Sequence, residues 1–242
     1  MSRNIIRLNC RPIHNSMCGR FTLKQPRRIN LINFDDGDLP SLPPRYNIAP
    51  TQEVLTLVQR GMSREARLLQ WGLIPFWSKE PKGIINARVE TIAEKPSFNE
   101  SFQKRRCLIF ADGFYEWERS GKISQPYYFQ LKDGAPFAFA GIWDQWRSNE
   151  RMIASCAIIT TTANELLATI HTRMPVILPP ELHDLWLNED SRAPELTDIL
   201  LPFPASEMTS HAVSYEVNDT KSDGEHLLLP VEPNIGVNLK LF

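Results

Sequence analysis

The chain has 242 residues, 42% hydrophobic and 23% charged, which is enough to bury the core of one large domain or two small ones. Its formal net charge of −1 excludes a global basic field, so contact with nucleic acid would need a local basic face. No apolar stretch approaches the roughly 20 residues that span a membrane, and we expect no membrane contact.

The first 16 residues carry Arg3, Arg7 and Arg11 and no acid, and Met17 offers a second start. Three explanations stay open: a start mis-assigned upstream of Met17, a propeptide that the protein removes itself, and a targeting peptide. The first is favoured, and the third is disfavoured because the apolar region of a secretion signal is missing. We expect residues 1–17 to be absent from the mature protein, residues 18–233 to form one domain and residues 234–242 to be a tail.

Cys18 would become the first residue if translation started at Met17 and that methionine were removed. It would then carry a free α-amine beside its thiol. Such a 1,2-aminothiol attacks an aldehyde with nitrogen and closes with sulfur to a five-membered thiazolidine. An internal cysteine cannot do this, because its nitrogen is held in an amide.

The other cysteines predict no special chemistry. Cys10, Cys107 and Cys156 lie far apart and, with Cys18, lack the spacing of metal ligands or of a disulfide framework. We expect a reducing compartment, with Cys107 and Cys156 as buried apolar residues.

The pattern of elements predicts one α+β domain. A short helix is expected over residues 25–34 and a loop over 35–44, and residues 45–50 and 71–77 are also expected to be loop-like. Strands are expected at 54–58, 66–71, 107–111, 127–131, 137–142 and 152–160. Hairpin turns are expected at Ser120-Gly121 and Asp133-Gly134. Further helices are expected over 97–106, after a capping box formed by Thr162 and Glu165, and over 180–187.

A polar face is expected after the apolar pair Ile84-Ile85. Asn86, Arg88 and Glu90 alternate there, so they would share one face of an extended segment. A polar face on a buried strand needs partners or a ligand. Two interpretations stay open, a structural Arg–Glu pair and a binding face.

Two side chains could move protons. Glu116 lies between aromatic residues at the end of an apolar run, where a low dielectric would raise its pKa toward neutrality. The alternative is a surface glutamate in a hairpin. His171 lies between the capped helix and an apolar strand, where a histidine is either structural or held for catalysis.

Aromatic and cationic side chains could bind a nucleic acid. Phe76 and Trp77 lie in a proline-containing loop, and a base stacked on such a ring contributes about 1–3 kcal/mol. Alternatively the loop plugs the core, which is the interpretation that we favour for Trp71. The cations that could contact phosphates are Arg20, Arg88 and Arg173.

Six separated motifs occur in the order MCGRF (17–21), RYNIAP (45–50), WGLIP (71–75), NARVET (86–91), ADGFYEW (111–117) and IHTRMP (170–175). No single motif is specific, but their order and combination resemble the SOS response-associated peptidase family, whose members process abasic sites. The resemblance covers residues 17 to about 233. It implies a β-rich single domain with a barrel-like, mostly antiparallel core flanked by short helices.

The resemblance also implies roles for individual residues. Cys18 would condense with the ring-opened aldehyde of an abasic site, and Asn86 would position that cysteine and its amine. Glu116 would shuttle protons during Schiff-base formation, and His171 would assist ring opening and act on the stability and reversal of the crosslink. The DNA contacts would come from Arg20, Asn47, Pro50, Phe76, Trp77, Arg88, Thr160 and Arg173, with Phe76-Trp77 as a wedge between bases.

The function expected from this resemblance is covalent capture of abasic sites in single-stranded DNA by a monomer, without a metal or cofactor. Self-removal of the residues before Cys18, a lyase activity and a cytoplasmic, nucleoid-associated location complete the expectation, with replication-fork proteins as neighbours. Two alternatives stay open: a cysteine peptidase that acts on other proteins, and a non-covalent single-strand-binding module.

Overall fold

Thirteen β-strands and five short α-helices form in the part of the chain that the computed structural model describes, residues 19–29, 42–61, 63–120, 123–149 and 151–233. The strands are β1 (Arg20–Leu23), β2 (Arg45–Ile48), β3 (Glu53–Arg60), β4 (Ser63–Trp71), β5 (Asn86–Arg88), β6 (Arg106–Ala111), β7 (Gly113–Ser120), β8 (Ile123–Leu131), β9 (Phe137–Arg147), β10 (Met152–Thr162), β11 (Arg173–Pro175), β12 (Ile177–Leu178) and β13 (Met208–Ala212). The helices are α1 (Val89–Ile92), α2 (Asn99–Lys104), α3 (Glu165–Ala168), α4 (His183–Leu187) and α5 (Ala193–Asp198).

The strands form two sheets, and one of them closes on itself. The smaller sheet has the order β13-β8-β7-β1-β2, and the larger has the order β11-β10-β4-β3-β6-β9-β12 with β5 beside β10. Pairing of β9 with β10 closes the ring β10-β4-β3-β6-β9 into a barrel. Within this ring only β4 and β10 pair in parallel. The expected α+β, β-rich fold with a barrel-like antiparallel core is therefore confirmed.

The helices cover the barrel and are short. The longest, α2 and α5, have six residues each. Among the helices of the described ranges, none is long and apolar enough to cross a membrane.

Strand β6 forms part of the barrel wall, and residues 107–111 of this strand are a continuous apolar run. All six of its positions are buried, because both faces of the strand are covered. Helix α4 packs on it, and the indole Nε1 of Trp186 donates to the carbonyl of Cys107 at 2.9 Å. Cys107 and Cys156 are fully buried, free thiols, as the sequence predicts.

A buried carboxylate fixes strand β1 against β7. Asp112 is fully buried and accepts from the Thr22 hydroxyl at 2.6 Å and from the backbone N–H groups of Lys24 and Gln25 at 2.6 and 2.9 Å. Burial raises the pKa of the Asp112 carboxyl, and these donors offset part of that rise. Gly113 lies against the Tyr128 ring, where a Cβ would come within 2.0 Å of the hydroxyl oxygen. The register of β1 against β7 is thus supported by a buried carboxylate that accepts three hydrogen bonds.

Two expectations near the N-terminus need correction. Over residues 25–29, the described part of the predicted helix, a single 3-10 turn forms at Pro26–Arg28, and Ile29 is extended after it. The segment Arg45–Ile48, expected to be loop-like, is strand β2, because it pairs with β1. The calls on residues 1–17, Cys18, 30–41, Gly121 and 234–242 lie outside the described residues.

Three further expectations also fail locally. Asn164, rather than Thr162, caps helix α3, and its side chain accepts from the N–H of Leu167. Glu90 lies in helix α1 rather than on an extended segment, because the strand ends at Arg88. The Asp133-Gly134 turn joins β8 to β9, which belong to different sheets, so it is not a hairpin.

Asp112→Ala is expected to lower the free energy of unfolding by about 2–4 kcal/mol, because one buried donor and two partly buried donors lose their acceptor. Chemical denaturation measures this change. Asp133→Ala is the matched control, since its exposed carboxylate accepts only from the nearby N–H of Ala135. Equal losses in the two variants would contradict the anchoring role of Asp112.

Candidate functional site

Strand β10 gathers several of the residues that the sequence singles out. In its parallel pairing with β5, Ile158 lies opposite Asn86 and Thr160 opposite Arg88. On the other edge, Thr162 pairs with Arg173 of β11. The predicted Asn86, Arg88, Thr160 and Arg173 therefore lie within one three-stranded region.

A bidentate ion pair holds the Arg173 guanidinium in this region. Its Nη1 and Nη2 donate to the two carboxylate oxygens of Glu90 at 2.6 and 2.9 Å, and Nη2 also donates to the Thr160 carbonyl at 2.6 Å. The hydrogen bond from Arg173 lowers the pKa of Glu90. The sequence suggested an Arg–Glu pair here; the partner of Glu90 is Arg173 rather than Arg88.

The hydroxyl of Thr160 is turned into the protein. It is fully buried and donates to the carbonyl of Ala87 at 3.3 Å. A DNA contact by Thr160 stays a prediction.

The backbone of Arg173 orients the imidazole of His171. The Arg173 N–H donates to His171 Nδ1 at 3.1 Å, so Nδ1 acts as an acceptor and we assign the proton of the neutral ring to Nε2. The side chain is half-buried. His171 therefore offers an Nε2–H donor with a fixed ring plane.

Arg88 differs from Arg173 in its surroundings. It is exposed, and its side chain forms no hydrogen bond or ion pair with any residue that the structure describes. Asn86, two residues earlier on β5, is half-buried. Of the two arginines beside β10, Arg88 is thus the one whose donors are available to an anionic ligand.

Glu116 lies on the second sheet and is only 3% exposed, which rules out the surface alternative. It follows Tyr115, and Tyr115 pairs with Arg20 at the start of β1. Cys18 lies outside the described residues and precedes Arg20 by two positions in the sequence. In the sequence, Cys18 therefore comes just before a strand that pairs with the segment containing Glu116.

Aromatic packing joins the start of β1 to the region around β5. The Phe21 and Trp71 rings meet edge to face with centroids 5.0 Å apart. The Trp71 Nε1 donates to the carbonyl of Ile85 at 3.0 Å, next to Asn86. Trp71 is fully buried, as predicted. Phe21 and Trp71 therefore connect the start of β1 to the segment before Asn86 through the core.

Arg20 and Asn47 are used inside the protein. The Arg20 guanidinium donates to Asn47 Oδ1 at 2.9 Å and to the Val217 carbonyl at 2.6 Å. The Asn47 amide donates to the carbonyls of Asp219 and Ser222 at 3.0 and 2.8 Å. These bonds tie residues 217–222 to β1 and β2, and burial lowers the pKa of Arg20. DNA contacts by Arg20 and Asn47 stay predictions.

The aromatic pair lies on a loop that leads back into β5. The loop is closed by mutual backbone hydrogen bonds between Leu73 and Ile84, both of 2.9 Å. Gly83 is required there, because a Cβ would lie 2.6 Å from the carbonyl oxygen of Gly72. Phe76 and Trp77 are 49% and 53% exposed. The plug alternative fails for these two residues.

Pro50 belongs to a turn beside this loop. The next residue, Thr51, has a φ of 74° and donates its N–H to the carbonyl of Trp71 at 2.8 Å. Pro50 therefore lies near the start of the aromatic loop, and its contact with DNA stays a prediction.

Sequence reasoning missed several contacts that shape the site. The Trp117 indole donates to Asn218 Oδ1 at 2.7 Å, which adds a third side chain to those of Arg20 and Asn47 that bind residues 217–222. The pairing of Glu90 with Arg173 and the anchoring by Asp112 were also missed. Asp112 alone left a signal, an aspartate directly after a fully apolar strand.

The arrangement supports acid–base chemistry beside a face that suits an anionic ligand. It combines a buried carboxyl, an oriented imidazole, an available guanidinium and two exposed aromatic rings. Across the part of the chain that is described, no cluster of three or more His, Cys, Asp or Glu side chains could hold a metal ion. The fold is therefore a closed five-stranded barrel with a second sheet, and Arg88 and Arg173 lie on the strands that flank β10, with His171 two residues before Arg173.

The sequence model of the SOS response associated peptidase (SRAP) family matches residues 17–220, and the chain belongs to this family. It is 42% identical over 221 residues to the abasic site processing protein YoaM of Bacillus subtilis, covering 88% of this chain and 97% of YoaM. It is 34% identical over 223 residues to the abasic site processing protein YedK of Escherichia coli, covering 89% and 100% of the two chains. An X-ray structure of a Bordetella bronchiseptica protein aligns with a TM-score of 0.69 and 28% identity, over 81% of this chain and 100% of that chain.

The Glu90–Arg173 pair makes a titration prediction. In the wild type, a carbon-13 NMR titration should give Glu90 a pKa below its ordinary value of 4.5, and Arg173→Gln should return it toward that value. Because the folded-state pKa is lowered, the pair stabilises the fold above the ordinary pKa and this contribution is lost as the pH falls through the lowered one. We expect the contribution of the ion pair to the free energy of unfolding to stay below about 1 kcal/mol, since Glu90 is partly exposed. An unchanged pKa in Arg173→Gln would contradict the pairing.

Proposed function

We propose that this protein captures abasic sites in single-stranded DNA through a covalent bond to Cys18. The observation that carries the proposal is the buried carboxyl of Glu116, the residue after Tyr115, which pairs with the first residue of β1, the strand that follows Cys18 in the sequence. An aldehyde-capturing aminothiol needs a group nearby that both accepts and donates protons. Membership of the SRAP family and the abasic-site processing relatives support the choice of substrate.

The proposed reaction joins one aldehyde to one aminothiol and releases one water. The α-amine of Cys18 adds to the aldehyde carbon of the ring-opened sugar, and the resulting carbinolamine loses water to give a Schiff base. The sulfur then adds to the same carbon and closes a thiazolidine. Glu116 accepts a proton from the amine as the bond forms and returns one to the departing hydroxyl.

His171 and Asn86 assist this reaction in the proposal. The oriented Nε2–H of His171 donates to the sugar oxygen as the ring opens, because the Arg173 N–H already occupies Nδ1. Asn86, held beside β10, positions the Cys18 amine. Reversal of the crosslink runs through the same groups, and a lyase activity would follow from proton loss at the Schiff-base stage.

DNA binding is proposed to use the surface of available donors and aromatic rings. Arg88 contacts a phosphate, and Phe76 and Trp77 stack on bases that flank the abasic site. An abasic nucleotide has no base to unstack, so its insertion costs little. The net charge of −1 does not oppose this, because a local groove is sufficient.

The proposal requires a free α-amine at Cys18. Either translation starts at Met17, or the protein removes residues 1–17 itself, with Cys18 as the nucleophile. Removal of this leader is the only peptide cleavage that we propose.

A chain expressed from Met17 should form a DNA adduct that survives a denaturing gel when it meets an abasic oligonucleotide, and Cys18→Ala should form none. Intact mass spectrometry of the same preparation shows whether the chain begins at Cys18. The adduct should exceed the unlinked protein mass by the DNA minus one water. A chain that begins at Cys18 and leaves abasic DNA unmodified would sink the proposal, and equal affinity for intact and abasic strands would favour a non-covalent binding module.

Glu116→Gln should slow crosslinking by about 100-fold or more, the usual contribution of general acid–base catalysis, while DNA affinity changes little. Glu118→Gln is the matched control two residues along β7, where the carboxylate accepts from the Tyr127 hydroxyl. Single-turnover gel assays at saturating DNA measure both rates. Similar rates for the two variants would remove Glu116 from the mechanism.

A further inference from the structure

We propose that Asp144, Trp146 and Ser155 are positioning residues for the aromatic pair Phe76-Trp77. The inference rests on the proposed function and deepens it, because it says how the DNA-facing rings are held before DNA arrives. None of these three side chains needs to contact DNA itself.

The three side chains bind the backbone of the aromatic loop at every second residue. Ser155 Oγ accepts from the N–H of Ile74 at 2.9 Å. An Asp144 carboxylate oxygen accepts from the N–H of Phe76 at 2.9 Å. The indole of Trp146 donates to the carbonyl of Ser78 at 2.7 Å.

The pairing of β9 with β10 puts these three side chains on one face. Ser155 lies directly opposite Asp144, so both side chains project to the same side. Trp146 is two residues along the same strand and therefore shares that side with Asp144. The neighbouring pair, Cys156 and Trp143, points to the other side and joins the core. The loop is thus attached along the outer face of the barrel.

The Asp144 carboxylate is itself immobilised. The residue is only 4% exposed. Its second oxygen accepts from the N–H of Gln145 at 2.8 Å and lies 3.3 Å from Arg105 Nε. Arg105 is fixed in turn by Glu100 at 3.2 Å. A rigid, charged acceptor at Phe76 N–H holds the loop more firmly than a neutral group would.

These attachments involve the backbone of the loop and leave both aromatic rings exposed to solvent. The Ser78 N–H donates to the Pro75 carbonyl at 2.9 Å, so Phe76 and Trp77 occupy the two central positions of a turn. The Trp77 indole reaches the Pro96 carbonyl at 3.3 Å. Both rings remain about half exposed although they are large and apolar. Without the three attachments the turn would lose its conformation, and ordering it would weaken DNA binding.

A double-mutant cycle separates positioning from a general effect on stability. The ligand is a single strand with a tetrahydrofuran abasic analogue, which has no aldehyde, and 2-aminopurine beside it to report unstacking. Phe76→Ala/Trp77→Ala should weaken binding by about 5- to 150-fold for each stacked base that is lost. Asp144→Ala should weaken binding by about 3- to 10-fold in the wild-type background and reduce the 2-aminopurine signal.

In the Phe76→Ala/Trp77→Ala background, Asp144→Ala should change the affinity by less than about 2-fold, because no rings remain to be positioned. Trp146→Phe is the second variant; it removes one donor without disturbing the Arg105 contact. Asp198→Asn, which removes an exposed carboxylate on α5, is the charge control and should bind as the wild type does. Denaturation curves of all variants identify any that fail to fold. If Asp144→Ala fails to fold, the affinity and the 2-aminopurine signal of Trp146→Phe test the inference instead.

Equal losses in both backgrounds would overturn the inference, as would wild-type affinity and 2-aminopurine signal in Asp144→Ala and Trp146→Phe. An aromatic double variant that binds like the wild type would overturn it too. Each of these results leaves covalent capture standing if an aldehyde-bearing strand still crosslinks. Loss of crosslinking in Cys18-bearing wild type would instead sink the proposed function.

Discussion

Strand β10 must satisfy the backbone hydrogen bonds of both of its edges, and most of the candidate site depends on how it does so. Along one edge it pairs first with β9 and then with β11, and along the other first with β4 and then with β5. Because the partner strand changes on each edge, the two halves of β10 have different roles. The first half closes the barrel and supports the aromatic loop, and the second half brings β5 and β11 together.

Much of the charge in the site is compensated within the protein. Arg173 is held by Glu90, Arg20 donates to main-chain carbonyls, and Arg105 lies between two carboxylates. Buried cations need such partners because desolvation is costly. Arg88 is the exposed exception among the arginines proposed for DNA. Few cations on this surface are available to phosphates. Under the proposed function, this suits a DNA strand that is recognised by its missing base more than by its total charge.

The sequence predicted the elements that are defined by period and apolarity, and it failed where tertiary pairing decides. The strands around β3, β4, β6, β9 and β10 are continuous apolar or alternating runs, so local pattern was sufficient. Residues 45–48 looked like a loop because only β1 makes them a strand. Glu90 was placed on a strand because one turn of helix leaves little periodicity. Candidate residues followed from chemical type, whereas the bond from Asp144 to Phe76 joins positions 68 residues apart and has no local signature.

The two buried thiols bear on chemical selectivity. Burial raises the pKa of both Cys107 and Cys156, so neither forms a thiolate near neutral pH. Only the thiolate reacts readily with electrophiles, and both sulfurs are also shielded from solvent. Within the described fold, a carbonyl compound or an alkylating reagent therefore meets no competing cysteine thiolate. The barrel therefore shields Cys107 and Cys156 from solvent, so a mild thiol-directed electrophile would leave both cysteines unmodified while the protein is folded.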